Sequence, residues 1–213
     1  MGAYESGFIK AATNASDLTA GASYTVLSGS ELTVDDNTLS LQNLTIQPGA
    51  KLTNSVSGKT LTVSNLILNS DATGNATYVE NGGTLSGTAT VKQYLGSARN
   101  WYLSPAISSA TVPTGSTYFG YDEAGTNVDL GVSGATAFWK PYAAGASLTA
   151  GVGYIAQPTA TSTVSYSGTL KTGSVPVTLT RTGAGSYAGF NLIANPYPSY
   201  LNAMTAINAM VDV

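Results

Sequence analysis

The chain contains no cysteine and no histidine. Without cysteine there is no disulfide, no thiol nucleophile and no thiolate metal ligand. Without histidine the commonest general base and the commonest zinc ligand are gone, so Ser-His-Asp hydrolysis and His-ligated zinc chemistry are excluded. Charge is scarce too. Only 9% of the 213 residues are Asp, Glu, Lys or Arg, against about 25% in ordinary soluble domains. The eight basic residues are scattered singly and the net charge is −3. No basic patch exists to hold phosphates, so nucleic-acid binding is not expected. No apolar run reaches the ~18 residues of a membrane span. Met1-Gly2-Ala3 leads straight into polar sequence. No secretory leader is visible, and the expectation is that a natural one has been trimmed away.

What the sequence does have is a repeat. Tyr24-Thr-Val26, Leu32-Thr-Val34 and Leu39-Ser-Leu41 are followed by Leu44-Thr-Ile46, Lys51-Leu52-Thr53 and Leu61-Thr-Val63, then by Leu66-Ile-Leu68, Tyr78-Val79 and Thr84-Leu85. Each run alternates apolar with polar, the period of a half-buried strand. Thr, which recurs at the outward positions, is β-branched and fits a pleated surface. Between the runs stand turn-formers such as Ser28-Gly29-Ser30, Gln47-Pro48-Gly49 and Asn81-Gly82-Gly83, residues that accept or preset turn dihedrals. Val26, Ile46 and Leu68 lie 20 and 22 residues apart, the spacing of a solenoid. Three short strands and their corners fill such a repeat, so the expected fold is all-β: a short right-handed parallel β-helix of about three coils over 24–96. A leucine-rich repeat competes but lacks its Asn/Cys landmark and helical return, and a hairpin-built sandwich also fits the strand spacing.

Residues 1–23 are expected to cap the first coil, with Phe8, Ile9 and Leu18 turned inward. Residues 69–77 are polar and expected to loop out. After residue 96 the texture changes: ten of the thirteen Tyr, both Trp and three of the four Phe lie from Tyr94 onward. Seven candidate strands, 100–103, 117–121, 136–140, 153–157, 163–167, 175–180 and 187–194, predict a small antiparallel β-sandwich over 97–213. Val164 and Tyr166 are expected to pair with Val175, Val177 and Leu179 in a hairpin turning at 171–173. Leu201, Met204, Ile207 and Val211 recur at near-helical spacing and predict a short terminal helix, with the natural chain continuing past Val213.

Arg99-Asn-Trp-Tyr-Leu-Ser-Pro105, Gly153-Tyr-Ile-Ala156, Tyr166-Ser-Gly-Thr-Leu170 with Val175-Pro-Val-Thr-Leu179, and Gly189-Phe-Asn-Leu-Ile-Ala-Asn-Pro-Tyr-Pro-Ser199 come in a recognisable order. Together with the Leu-Thr-rich repeat, this part of the chain, about residues 25–200, resembles a segment of large secreted and cell-surface proteins of Bacteroidota, many of them type IX secretion substrates. Phe190 and Ala194 stand where that family usually has Trp and Gly, and its sorting domain is absent. The resemblance implies an exported, non-catalytic surface module and names no ligand.

Two clusters could carry chemistry. Asp122, Glu123, Asn127 and Asp129 follow Tyr121 and offer hard oxygen ligands of the kind calcium takes. Their order is not that of an EF-hand, and the plainer reading is a solvated hairpin tip. Asp35-Asp36-Asn37 is a second acidic corner that needs no metal. Trp101, Tyr102, Trp139, Tyr142 and Tyr197 present faces on which a sugar could stack, unless they fill the core of the second half or the junction. No other cofactor is expected. Glycan-cleaving β-helices carry carboxylates on successive coils facing one groove; here Glu31 and Lys51 occupy the equivalent corner, with no third acid. The leading expectation is therefore a non-catalytic structural or adhesive module of a secreted or cell-surface bacterial protein. A carbohydrate-binding module is the alternative and a polysaccharide-cleaving enzyme the third reading. The partner would be a glycan or another surface protein.

Overall fold

A computed structural model describes residues 4–5, 7–35, 39–125, 138–183 and 188–208. Its architecture is a parallel β-solenoid followed by a smaller antiparallel β module. The first sheet stacks Phe8–Ile9, Tyr24–Val26, Leu39–Ile46, Thr60–Leu68 and Thr84–Leu95 in parallel. The second sheet stacks Thr13–Asn14, Glu31–Val34, Lys51–Asn54 and Thr77–Glu80, also in parallel.

Register follows the repeat. Ile9, Val26, Ile46, Leu68 and Val91 form one vertical column, and every one of them is buried. A second column runs Tyr24, Leu44, Leu66, Ala89, and the second sheet supplies Thr13, Leu32, Leu52, Tyr78. The runs Leu39–Leu41 and Leu44–Ile46, separate in the sequence pattern, join into one strand bent at Gln42 and Asn43. The bend turns two successive residues outward, so Leu39, Leu41, Leu44 and Ile46 all reach the core. Thr60–Leu68 repeats the device with Ser64 and Asn65 outward. At this corner Asn65 donates to Asn43 and Asn43 donates to Ser23, each at 3.0 Å.

Residues 8–14 continue the columns: Ile9 sits under Val26 and Thr13 under Leu32. Ile9 is fully buried and Leu18 packs on the core. Phe8 is not inward as expected, because strand alternation turns it outward opposite Thr25, 46% exposed. The polar stretch after Leu68 leaves the coil as a small hairpin, Ser70–Asp71 on Gly74–Asn75.

The second half contains a four-stranded antiparallel sheet ordered Trp101–Leu103, Tyr154–Ala156, Tyr118–Tyr121, Trp139–Tyr142. The expected hairpin between 163–167 and 175–180 is not formed. Ser162–Gly168 instead pairs antiparallel with the last solenoid strand, from Ala89↔Gly168 to Leu95↔Ser162. The reason is geometric: the last coil offers an unpaired edge, and Pro176 removes a backbone donor from the competing strand. Val175 and Val177 pack instead against the turn at Gly151. Residues 188–194 likewise form no strand, only the single bridge Val152↔Ile193. Among the described residues the buried apolar side chains form one contiguous cluster from Ile9 to Leu170, spanning both halves. The terminal helix, Ala203–Asn208, buries no residue. No described helix is long and apolar enough to cross a membrane.

Candidate functional site

The features that could serve a function gather at the junction, where the last coil meets the aromatic half. Both sheets of a solenoid end in a row of unpaired backbone groups. Ser162–Gly168 covers the first edge. The second is met by two turns. Pro198 accepts a hydrogen bond from the Tyr78 N–H at 2.9 Å, and Glu80 accepts one from the Gly173 N–H at 2.9 Å. The Asn195-Pro-Tyr-Pro-Ser199 stretch is shaped for this. Asn195 Oδ1 accepts from the Tyr197 N–H at 3.0 Å, an Asx turn, and Asn195 Nδ2 donates to the Ser199 carbonyl. The Tyr197 hydroxyl donates to the Gly173 carbonyl at 2.6 Å, tying the two turns together.

One level below Glu80, inside the solenoid, Asn54 replaces the apolar residue that Val34 supplies at the next level down. Its Nδ2 donates to the Thr84 carbonyl at 2.8 Å, and Gly83 is required beside it, because a Cβ there would lie 1.9 Å from Asn54 Oδ1. Burial pushes the pKa of the Tyr78 hydroxyl up to about 12, against an opposing effect of Asn54, with the Glu80 carboxylate adding the smallest push upward. Even so, neither Asn54 Oδ1 nor the Tyr78 hydroxyl has a partner at hydrogen-bonding geometry.

A groove of about 330 Å³ lies at this junction. Its lining includes Asn75, Gln93, Tyr102, Asn195, Tyr197 and Tyr200. Two of the five aromatics expected to bind sugar, Tyr102 and Tyr197, are thus brought together. The other three lie elsewhere. Trp101 is on the opposite face of its strand from Tyr102; its Nε1 donates to the Ser97 carbonyl at 2.9 Å, and the Arg99 guanidinium sits 4.0 Å from its ring centre. Trp139 stands edge-on to Tyr121 at 5.4 Å, and Tyr142 edge-on to Tyr154 at 5.3 Å. Tyr200, 97% exposed, joins the groove without having been singled out by the sequence. It stands just past the motif, and nothing in its neighbours marks it. Gln93 was missed for the same reason: within a Thr- and Lys-bearing strand it reads as one more outward polar residue. A larger hollow of about 500 Å³, between 115–119 and 156–162, contains no unpartnered buried polar atom.

Glu123, expected as a calcium ligand, is 7% exposed and engaged by the protein. It accepts hydrogen bonds from the Thr182 N–H at 2.6 Å, Thr182 Oγ1 at 2.7 Å and the Gly189 N–H at 2.8 Å. These donors, Thr182 first, pull its pKa down to about 2. Asp122 Oδ1 accepts from the Ala124 N–H at 3.2 Å. Asn127 and Asp129 lie outside the described residues, as do Asp36 and Asn37. Asp35 accepts two hydrogen bonds from Ser16, which close the first corner of the second sheet. Among the described residues no group of three or more acidic side chains could hold a metal ion. Glu31 is held by Lys51 at 3.0 Å and Thr53 at 2.6 Å.

No family model, no curated protein and no solved structure matches the chain.

Proposed function

We propose that this chain is a non-catalytic structural module of an exported bacterial surface protein: a stiff spacer whose aromatic half terminates the solenoid and presents a contact surface. The single observation that carries the reading is the seven-stranded sheet that runs without interruption from Tyr4–Glu5 to Ser162–Gly168. A stack of strands held by successive hydrogen-bonded ladders resists bending, and here the last ladder belongs to the second half. A hinge between the halves would have to break that ladder.

The surface chemistry supports a place outside the cell. The outward positions of the coils are hydroxyl and amide side chains such as Thr25, Thr45, Asn43 and Asn65. Cysteine is absent, so the fold does not depend on redox compartment. The resemblance to Bacteroidota surface proteins adds the expectation of export. Two measurements test the proposal. Antibody against the purified chain should label intact cells of the source organism, and label appearing only after permeabilisation would refute export. Pulling on residues near the two ends in an optical trap should give one cooperative rip. Two separate rips, one for each half, would refute the single stiff body.

A further inference from the structure

We propose that the junction groove between Tyr102, Tyr197 and Tyr200 binds an uncharged pyranose sugar. The proposal does not depend on the spacer reading, because a rigid module can carry such a site or lack it. The first ground is the three rings. Tyr102 is 64% exposed, although its neighbour Leu103 is buried, and Tyr200 is 97% exposed. Tyr197 is fixed by its hydroxyl on the Gly173 carbonyl and by the Asx turn at Asn195. Planar rings with a polar edge match the C–H faces and hydroxyl rim of a pyranose, and a ring held in advance loses little entropy on binding.

The second ground is Gln93. It shares the inward face of its strand with Val91 and Leu95. Its Nε2 makes a long hydrogen bond of 3.4 Å to the Ser104 carbonyl, the one polar contact of the carboxamide. Oε1 is then left buried without a donor. Buried acceptors are rarely left so, and a turn of the carboxamide about its side chain would bring Oε1 to a sugar hydroxyl in the groove that Gln93 lines. Asn75 adds an amide group to the same lining, while the Asn195 carboxamide is taken up by its own turn. The third ground is charge. No carboxylate lines the groove, and its one charged residue, Lys92, alternates to the face opposite Gln93. That favours a neutral ligand. A volume of about 330 Å³ suits one or two sugar rings and lies in the ~300–1,000 Å³ range of small-molecule sites.

The test is saturation-transfer NMR on the full chain, with the methyl glycosides of glucose, galactose, mannose and glucuronic acid at millimolar concentration. Transfer to the ring C–H protons of at least one neutral glycoside is expected. Tyr200→Ala, at a position too exposed to threaten folding, should weaken binding about two- to tenfold, the worth of one aromatic contact. Gln93→Leu should weaken it further, with the circular dichroism spectrum unchanged. No transfer to any neutral glycoside would overturn the proposal. So would transfer that persists undiminished in Tyr102→Ala/Tyr200→Ala, or transfer confined to the glucuronide and lost in Lys92→Ala.

Discussion

Two buried hydroxyls connect the halves of the molecule. Tyr118 and Tyr166 share a hydrogen bond of 2.8 Å, one from the antiparallel module and one from the strand laid on the solenoid. Burial raises both hydroxyls above the ordinary tyrosine value. Removing one partner leaves the other stranded, so Tyr118→Phe should cost about 1–3 kcal/mol in urea unfolding. Tyr118→Phe/Tyr166→Phe should cost less than the sum of the two single changes, and simple additivity would contradict the pairing. Glu123 makes a pH prediction. Its carboxyl is lowered from 4.5 to about 2 by Thr182 and Gly189. A lowered carboxyl stabilises the fold above its unfolded pKa, and that contribution is lost as pH falls from about 4.5 towards 2. Thermal melts should therefore show a drop across that window, and Glu123→Gln should flatten it. An unchanged acid limb in the variant would rule out this carboxyl as its source.

At the scale of strands and turns, strands of the last two coils approach closely at one glycine. Gly87 faces Val63, and a Cβ there would lie 1.7 Å from the Val63 carbonyl oxygen. Its φ is +124°, and the register shifts between Gly87 and Thr88. Backbone cannot yield as a side-chain tip can, and a side chain at this φ is strained besides, so Gly87→Ala should cost about 1–3 kcal/mol. An effect within ~0.5 kcal/mol, as at an open surface site, would contradict the close approach. The next ladder offers a covalent test, made clean by the absence of native cysteine. Thr90 and Ser167 are direct cross-strand partners with hydroxyls 2.8 Å apart. Thr90→Cys/Ser167→Cys should oxidise to a monomeric disulfide under mild conditions. Free thiols after oxidation would place these strands apart.

For the molecule as a whole, the solenoid was legible and its closure was not. Leu, Ile and Val at every second position fix which residues face inward, and the spacing of Val26, Ile46 and Leu68 fixes which stack. That information is local, and the structure keeps it in the columns. Pairing across the halves is not local. Val164 and Tyr166 announce a strand with one apolar face, but nothing in that alternation says whether 175–179 or the edge of the last coil lies beside it. The edge won, although Thr90 and Ser167 are 77 positions apart in the chain. The sugar-facing candidates divide for a similar reason. Aromatic identity does not reveal which of two sheet faces a residue takes, so Tyr102 reaches the groove and Trp101, one residue earlier, does not. The helical spacing of Leu201, Met204 and Ile207 did predict a helix, yet these residues stand 42%, 64% and 52% exposed.

The second half ends the solenoid, its strand 162–168 laid on the last coil, and is not a neighbour hung beside it. Native-state hydrogen exchange on the full chain tests this most directly, because amides that open together report one cooperative unit. The expected result is that amides of 60–68, 84–95 and 162–168 share one opening free energy, equal to that of global unfolding. If residues 97–183 instead exchange as a separate unit, at a lower opening energy than the coils, the continuous sheet and the stiff module built on it are both wrong.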